Sequence, residues 1–162
     1  MTYIAAFFYV AAMLLANLLV SKFGPAISPV LAFSLIGFDL SMRDWLHIRL
    51  RAWQMAGLIV VAGALTYLLN PAAGMIAVAS SVAFTAAALV DWATFTRLRG
   101  SWLRRANGSN VAGAAVDSLI FPTLAFGALM PHIVLLQFIA KVAGGALFAW
   151  ILSRQMIDKA AA

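Results

Sequence analysis

The chain contains no cysteine, which excludes a disulfide framework, a thiolate metal site and a cysteine nucleophile. It contains no glutamate either, so aspartates are its only carboxylate side chains. Charged residues make up 10%, where a soluble domain carries roughly 25%. Histidine is confined to His47 and His132, far apart and without metal-ligand spacing, so neither a metal nor a cofactor is expected. What fills the chain instead is apolar: 65% hydrophobic residues and a mean hydropathy of +1.00. A net charge of +6 would suggest nucleic acid in a soluble protein. In a membrane protein cations gather on the cytoplasmic face, and no nucleic-acid partner is expected here. The opening stretch MTYIAAFFYVAAMLLANLLV lacks a basic leader and a small-residue cleavage site, so it reads as a retained first helix.

A span needs about 20 apolar residues to cross a core of roughly 30 Å. Division at the Pro, Gly and Arg punctuation predicts six spans, about Thr2–Val20, Ile27–Leu46, Ala52–Leu69, Ala73–Phe95, Ser109–Met130 and His132–Leu152. The expected fold is an all-α integral membrane bundle of six transmembrane helices, a single domain over residues 1–162. Arg43, Arg49 and Arg51 fall between the second and third spans, and Arg97, Arg99, Arg104 and Arg105 between the fourth and fifth. Arg154 and Lys159 follow the sixth, whereas the opposite side has Lys22 alone. The positive-inside rule then puts both termini in the cytoplasm. Trp45, Trp53, Trp92, Trp102 and Trp150 fall near the basic side, and all but Trp92 read as anchors at the membrane interface.

Asp39, Asp91, Asp117 and Lys141 stand inside these apolar spans. A charge near the bilayer centre costs about 2.5–3.5 kcal/mol on insertion scales, so it normally faces the protein interior and marks a ligand or ion path. At about 1.5 Å per residue, Lys141 falls near the midplane, and Asp117 about eight residues above the start of its helix. Asp39 and Asp91 fall in the cytoplasmic half, so the four are expected to converge on one cavity. Steps of three and four add neighbours on each face. Asn110, Gly113, Asp117 and Phe121 share a stripe, as do Gln137, Lys141, Gly145 and Phe148; Ser80, Phe84, Ala87 and Asp91; and Tyr9, Met13, Asn17 and Ser21. Asp117 has no basic residue nearby on its own helix, and Lys141 is its expected partner. Plainer roles are open to the others: Asp39 could pair with Arg43, Asp91 with Arg97 or Arg99, and Asn17 and Ser21 could join helices. Pro122 predicts a kink beyond Asp117, and Gly144-Gly145 allows close approach.

Several ordered motifs resemble one family. They are Asn17-Leu18-Leu19-Val20, Phe38-Asp39-Leu40-Ser41-Met42-Arg43, and Asp91 followed by Phe95-Thr96-Arg97-Leu98-Arg99. Gly113 with Asp117-Ser118-Leu119-Ile120-Phe121 and Ala125-Phe126 continues the series, and Phe138 with Lys141-Val142 completes it. From about Ala16 to Leu152 the chain resembles the vitamin-uptake-like family of queuosine precursor transporters. Many members carry an acidic residue shortly after the aspartate of the second helix, where this chain has Arg43-Asp44. The resemblance implies a bacterial inner-membrane importer of 7-deazaguanines, chiefly 7-cyano-7-deazaguanine, and not an enzyme.

A guanine-like edge presents two adjacent N–H donors and a carbonyl. A carboxylate accepts the two donors, while lysine or asparagine donates to the carbonyl. Asp117 and Lys141 would read such an edge. Asn17, Asp39, Asp91, Asn110 and Gln137 are further polar candidates for the substrate site, and Phe121, Phe84 or Trp92 would supply aromatic walls. Asp39 or Asp91 is the candidate carrier of a coupling proton, because burial disfavours the charged form of a carboxyl group. Two alternatives share this composition: a substrate-capture subunit of an ABC-type vitamin importer, and a non-catalytic scaffold subunit. No Ser/His/Asp grouping supports an enzyme. The expected partners are the lipid bilayer and a small heterocyclic substrate, with a homodimer left open.

Overall fold

In lipid a chain must satisfy every backbone polar group internally, and a single run of apolar residues can do that only as a helix. The computed structural model describes residues 2–160, with side chains through residue 154. Lys159, one of the basic residues expected at the cytoplasmic face, lies outside the described side chains. Six helices are long and apolar enough to cross a membrane, and there is no strand among the described residues.

The first helix, α1, covers Thr2–Phe23 and stops at Gly24, whose φ of 72° favours glycine. The second, α2, occupies Pro25–His47 and is irregular. A 3-10 turn and an α turn lead into a π segment at Ala32–Ile36, and regular α-helix resumes at Gly37. Next come α3, Ala52–Leu69, and α4, Gly74–Arg97, separated by Asn70 and a 3-10 turn at Pro71–Ala73. Then α5 spans Trp102–Phe126, with Pro122 inside it and Gly127 closing it at φ 70°. Last, α6 spans Pro131–Ala160. An even number of spans with short connections returns the chain to the end of the bundle where it began. Arg49, Arg97, Arg99 and Arg154 are exposed at that end. Arg49 stacks 3.7 Å from the Trp45 ring centroid and Arg154 lies 5.2 Å from that of Trp150.

Several boundaries differ from those expected, with α5 ending at Phe126 and α6 running to Ala160, and two corrections bear on the site. α5 begins at Trp102 and not near Ser109, because the Ser101 hydroxyl caps it by accepting the Arg104 backbone N–H at 3.3 Å. Its first turns carry basic side chains that can reach the headgroup level while their stems stay apolar. Asp117 therefore sits past the middle of its helix. α2 ends at His47, close to the expected Leu46, but Arg43, expected among the loop cations, is buried within the bundle.

Helices α4, α5 and α6 lie side by side; α2 fits between α6 and α1, and α3 closes on α1 and α4. Half of the α2 span is buried, more than of any other. Its approach to α6 is backbone on backbone: a Cβ added at Gly37 would sit 2.7 Å from the Gly144 backbone, and one at Gly144 would strike the Phe33 carbonyl. The Ser41 hydroxyl donates to the Gly145 carbonyl at 2.8 Å across the same seam. Small residues and a hydroxyl at a helix crossing are how membrane helices associate without a hydrophobic driving force.

Candidate functional site

Lys141 enters the bundle from the middle of α6 and is 1% exposed. Its ammonium lies 2.6 Å from Asp117 Oδ2, donates to Gln137 Oε1 at 2.8 Å and to Ser118 Oγ at 3.1 Å. An ammonium has three donors and no acceptor, so these contacts use it fully. Gln137, one turn before Lys141 on the same face, donates its amide N–H to Ser28 Oγ at 3.0 Å. The Ser28 hydroxyl in turn donates to the Pro25 carbonyl at 2.6 Å. One polar network thus ties α2, α5 and α6 together at the Lys141 level.

Around that network is a small cavity. Asp117, Lys141, Gln137 and Ser28 line it with Asn17 and Ser80, and the Phe84 and Phe121 rings form its walls. Ala32 and Ile36, at the two ends of the π segment, complete it; such local widenings of a helix recur at functional sites. The Ser80 hydroxyl is buried without a hydrogen-bond partner. Asn17 donates to Thr66 Oγ1 at 3.2 Å and so also joins α1 to α3. The enclosed volume is about 20 Å³, room for one water molecule. A purine-sized ring would need the helices to part.

Asp117, Lys141, Gln137, Asn17, Phe84 and Phe121 meet at this cavity; Asp39, Asp91 and Asn110 do not line it. The four ionisable side chains expected to share one cavity occupy two levels instead. The reason is helix rise. Asn110 shares the Asp117 stripe but lies two turns away, about 10 Å along the axis. There it packs near Gly145, with both side-chain polar atoms unpartnered. Asp39 Oδ2 accepts from Arg43 Nη2 at 3.1 Å, the local pairing its spacing allowed, and both side chains are buried. The Arg43 guanidinium lies 5.5 Å from the Phe84 ring centroid, between the cavity and the basic end.

Asp91 does not pair with Arg97, which donates to the Ala93 carbonyl at 3.3 Å. It is fully buried and lies beside Asp44 and Ser109. Trp92 does not wall the central cavity either. With Arg43, His47, Met55 and Thr85 it lines a wider cleft of about 470 Å³ nearer the basic end, where the His47 ring stacks on the indole at 6.4 Å. Among the described residues no group of three or more His, Cys, Asp or Glu side chains is arranged to hold a metal ion.

Ser28 and Asp44 of this polar interior escape the sequence reading, as does the burial of Arg43. Ser28 carries no charge to betray its depth. Arg43 and Asp44 fall in the last turns of α2, where charge is ordinarily interfacial, yet both are buried. The available signal was the four-residue step from Asp39 to Arg43.

A family model described as "Putative vitamin uptake transporter" matches residues 2–154 of the chain. Neither the comparison with curated proteins nor that with solved structures returned a match.

Proposed function

The chain belongs to this family of membrane uptake transporters, and from that premise we propose that it imports 7-cyano-7-deazaguanine or a related 7-deazapurine, a queuosine precursor. Import is across a bacterial inner membrane, is linked to protons, and leaves both termini in the cytoplasm. One observation carries the substrate reading: a carboxylate, an ammonium and a primary amide are held together at a cavity that two phenyl rings also line. A ligand with two adjacent N–H donors and a carbonyl can insert into the Asp117–Lys141 pair without stranding either charge. Its donors replace the ammonium on Asp117, and its carbonyl replaces Asp117 on Lys141. Phe84 and Phe121 can then cover the ring faces.

The 20 Å³ volume corresponds to a closed state, so binding exchanges hydrogen bonds as the helices part. The π segment and Pro122 lie beside the site, and both interrupt the regular backbone ladder that would otherwise resist such motion.

The test is thermal stabilisation of the purified protein. A ligand that binds only the folded state at a hundred times its Kd adds about 2.7 kcal/mol. The melting temperature is expected to rise with 7-cyano-7-deazaguanine and to stay fixed with biotin or riboflavin. A rise with an unrelated vitamin, and none with the deazaguanine, rejects the substrate reading.

A further inference from the structure

A second polar group lies between the central cavity and the basic end. Asp44, from α2, and Asp91, from α4, are both fully buried, and both lie against the Ser109–Gly113 turn of α5, which sets their carboxyl groups side by side. Ser109 of α5 presents its hydroxyl 3.4 Å from each Asp44 oxygen, but it also donates to the Ala106 carbonyl at 3.1 Å. Neither oxygen of Asp91 has a hydrogen-bond donor. The α5 backbone passes close at a glycine: a Cβ added at Gly113 would sit 3.7 Å from Asp91 Oδ1.

Charge balance makes this arrangement untenable for two carboxylates. The Asp117–Lys141 pair is neutral in itself. Next to it, Asp39, Asp44 and Asp91 have one buried cation, Arg43, and its guanidinium is bonded to Asp39. His47, half-buried at the rim of the wide cleft, is the other titratable group near Asp91. From α1, the Tyr9 hydroxyl is buried and unpartnered and lies nearer Asp39 and Arg43. Two ionised carboxylates in contact repel, and ionised oxygens only accept hydrogen bonds. A single proton removes both faults by turning an acceptor–acceptor contact into an O–H···O bond.

We propose that Asp44 and Asp91 form a carboxyl pair holding one proton between them, and that this pair, rather than Asp39, binds and releases the proton coupled to uptake. The proton adds to one carboxyl oxygen and is shared with the facing one. On release it leaves toward the wide cleft past His47, and the two carboxylates separate. Asp39 is set aside because Arg43 matches its charge through one of its oxygens, whereas Asp44 and Asp91 have no cation of their own. The coupling role rests on the uptake reading, whereas the shared proton rests on the geometry of the pair alone.

Two measurements test the two parts separately. Infrared difference spectra of the protein in lipid, at a pH where exposed carboxyls are ionised, are expected to show the carbonyl stretch of a protonated carboxyl group. The band should shift in deuterated water, vanish in Asp44→Asn and in Asp91→Asn, and persist in Asp39→Asn. Asparagine at either position donates an N–H to the remaining carboxylate, so the contact and the fold are kept while that carboxylate stays ionised and no proton is shared. A band that survives both substitutions, or is lost only in Asp39→Asn, overturns the shared proton.

The second measurement is uptake of labelled 7-cyano-7-deazaguanine into proteoliposomes under an imposed pH gradient. Stimulation by the gradient should be at least tenfold in the parent and absent in Asp91→Asn, with equilibrium binding of the same probe unchanged. Stimulation by a sodium gradient in place of protons, or gradient-driven uptake that survives Asp91→Asn, overturns the coupling role. Failure of the probe to bind the parent at all would strike the substrate reading and leave the infrared result standing.

Discussion

Lys141 Nζ and Asp117 Oδ2 face each other at 2.6 Å across the α5–α6 interface, with both side chains withdrawn from solvent. A buried ion pair of this kind is weak evidence for stability, since hydrophobic residues of similar volume often serve as well or better. Removing one partner, however, strands a charge at about 3–5 kcal/mol. That asymmetry separates a structural role from a functional one.

Lys141→Ala is expected to destabilise the protein by about 3–5 kcal/mol, because Asp117 loses its counter-charge and Gln137 Oε1 its donor. Asp117→Asn combined with Lys141→Ala should cost less than the sum of the single changes, as contacting residues couple. Lys141→Met with Asp117→Leu should be near neutral in thermal unfolding yet inactive in uptake. If that apolar double variant still transports, the pair has no part in recognition.

Gly144→Ala should separate α6 from α2, because the added Cβ would meet the Phe33 carbonyl, part of a backbone that cannot swing aside. Overpacking of this sort costs about 1–3 kcal/mol, read as a lower melting temperature. Gly57→Ala is the control: its Cβ would meet nothing within 4 Å, and helix propensity alone gives a gain of up to about 1 kcal/mol. Equal effects at the two positions would mean that the α2–α6 seam is not held by close backbone approach.

The spans were the most legible part of the chain because lipid enforces one rule on every segment, and Ala52–Leu69 is bounded in the structure as its sequence suggests. The start of α5 was less so. Arg104 and Arg105 resemble a loop by composition, and only the Ser101 cap shows that the helix has already begun. The Lys141–Asp117 contact could be anticipated because a deep lysine must find a carboxylate. Asp44 could not, since charge near a helix end is cheap at an interface, and burial there depends on how α2 lies against α4 and α5. The π segment at Ala32–Ile36 left no mark in composition or periodicity.

Orientation is open to direct labelling because the chain has no native cysteine. Arg99→Cys, on the exposed connection between α4 and α5, is expected to react with an impermeant maleimide only after the cells are opened. Ala72→Cys, exposed between α3 and α4, should react in intact cells. The reverse pattern would invert the bundle and place the Asp44–Asp91 level nearer the outside.

Recognition admits the sharpest test, by varying protein and ligand together. If Asp117 accepts the ligand's paired N–H groups, Asp117→Asn sets a donor against a donor and leaves buried groups unpaired, at about 1–3 kcal/mol each. Affinity for 7-cyano-7-deazaguanine should then fall by at least about tenfold, since 1.4 kcal/mol is one decade. An analogue lacking the two-amino group should lose affinity for the parent but lose little further for Asp117→Asn, because the contact it lacks is the one the substitution removes. Lys141→Ala should weaken both ligands alike, since both keep the carbonyl that the ammonium would meet. Equal losses for the analogue in the parent and in Asp117→Asn would mean that Asp117 serves Lys141 alone. The ligand edge would then have to be read elsewhere in the cavity, where Gln137, Asn17 and the Ser28 and Ser80 hydroxyls are the remaining groups able both to donate and to accept.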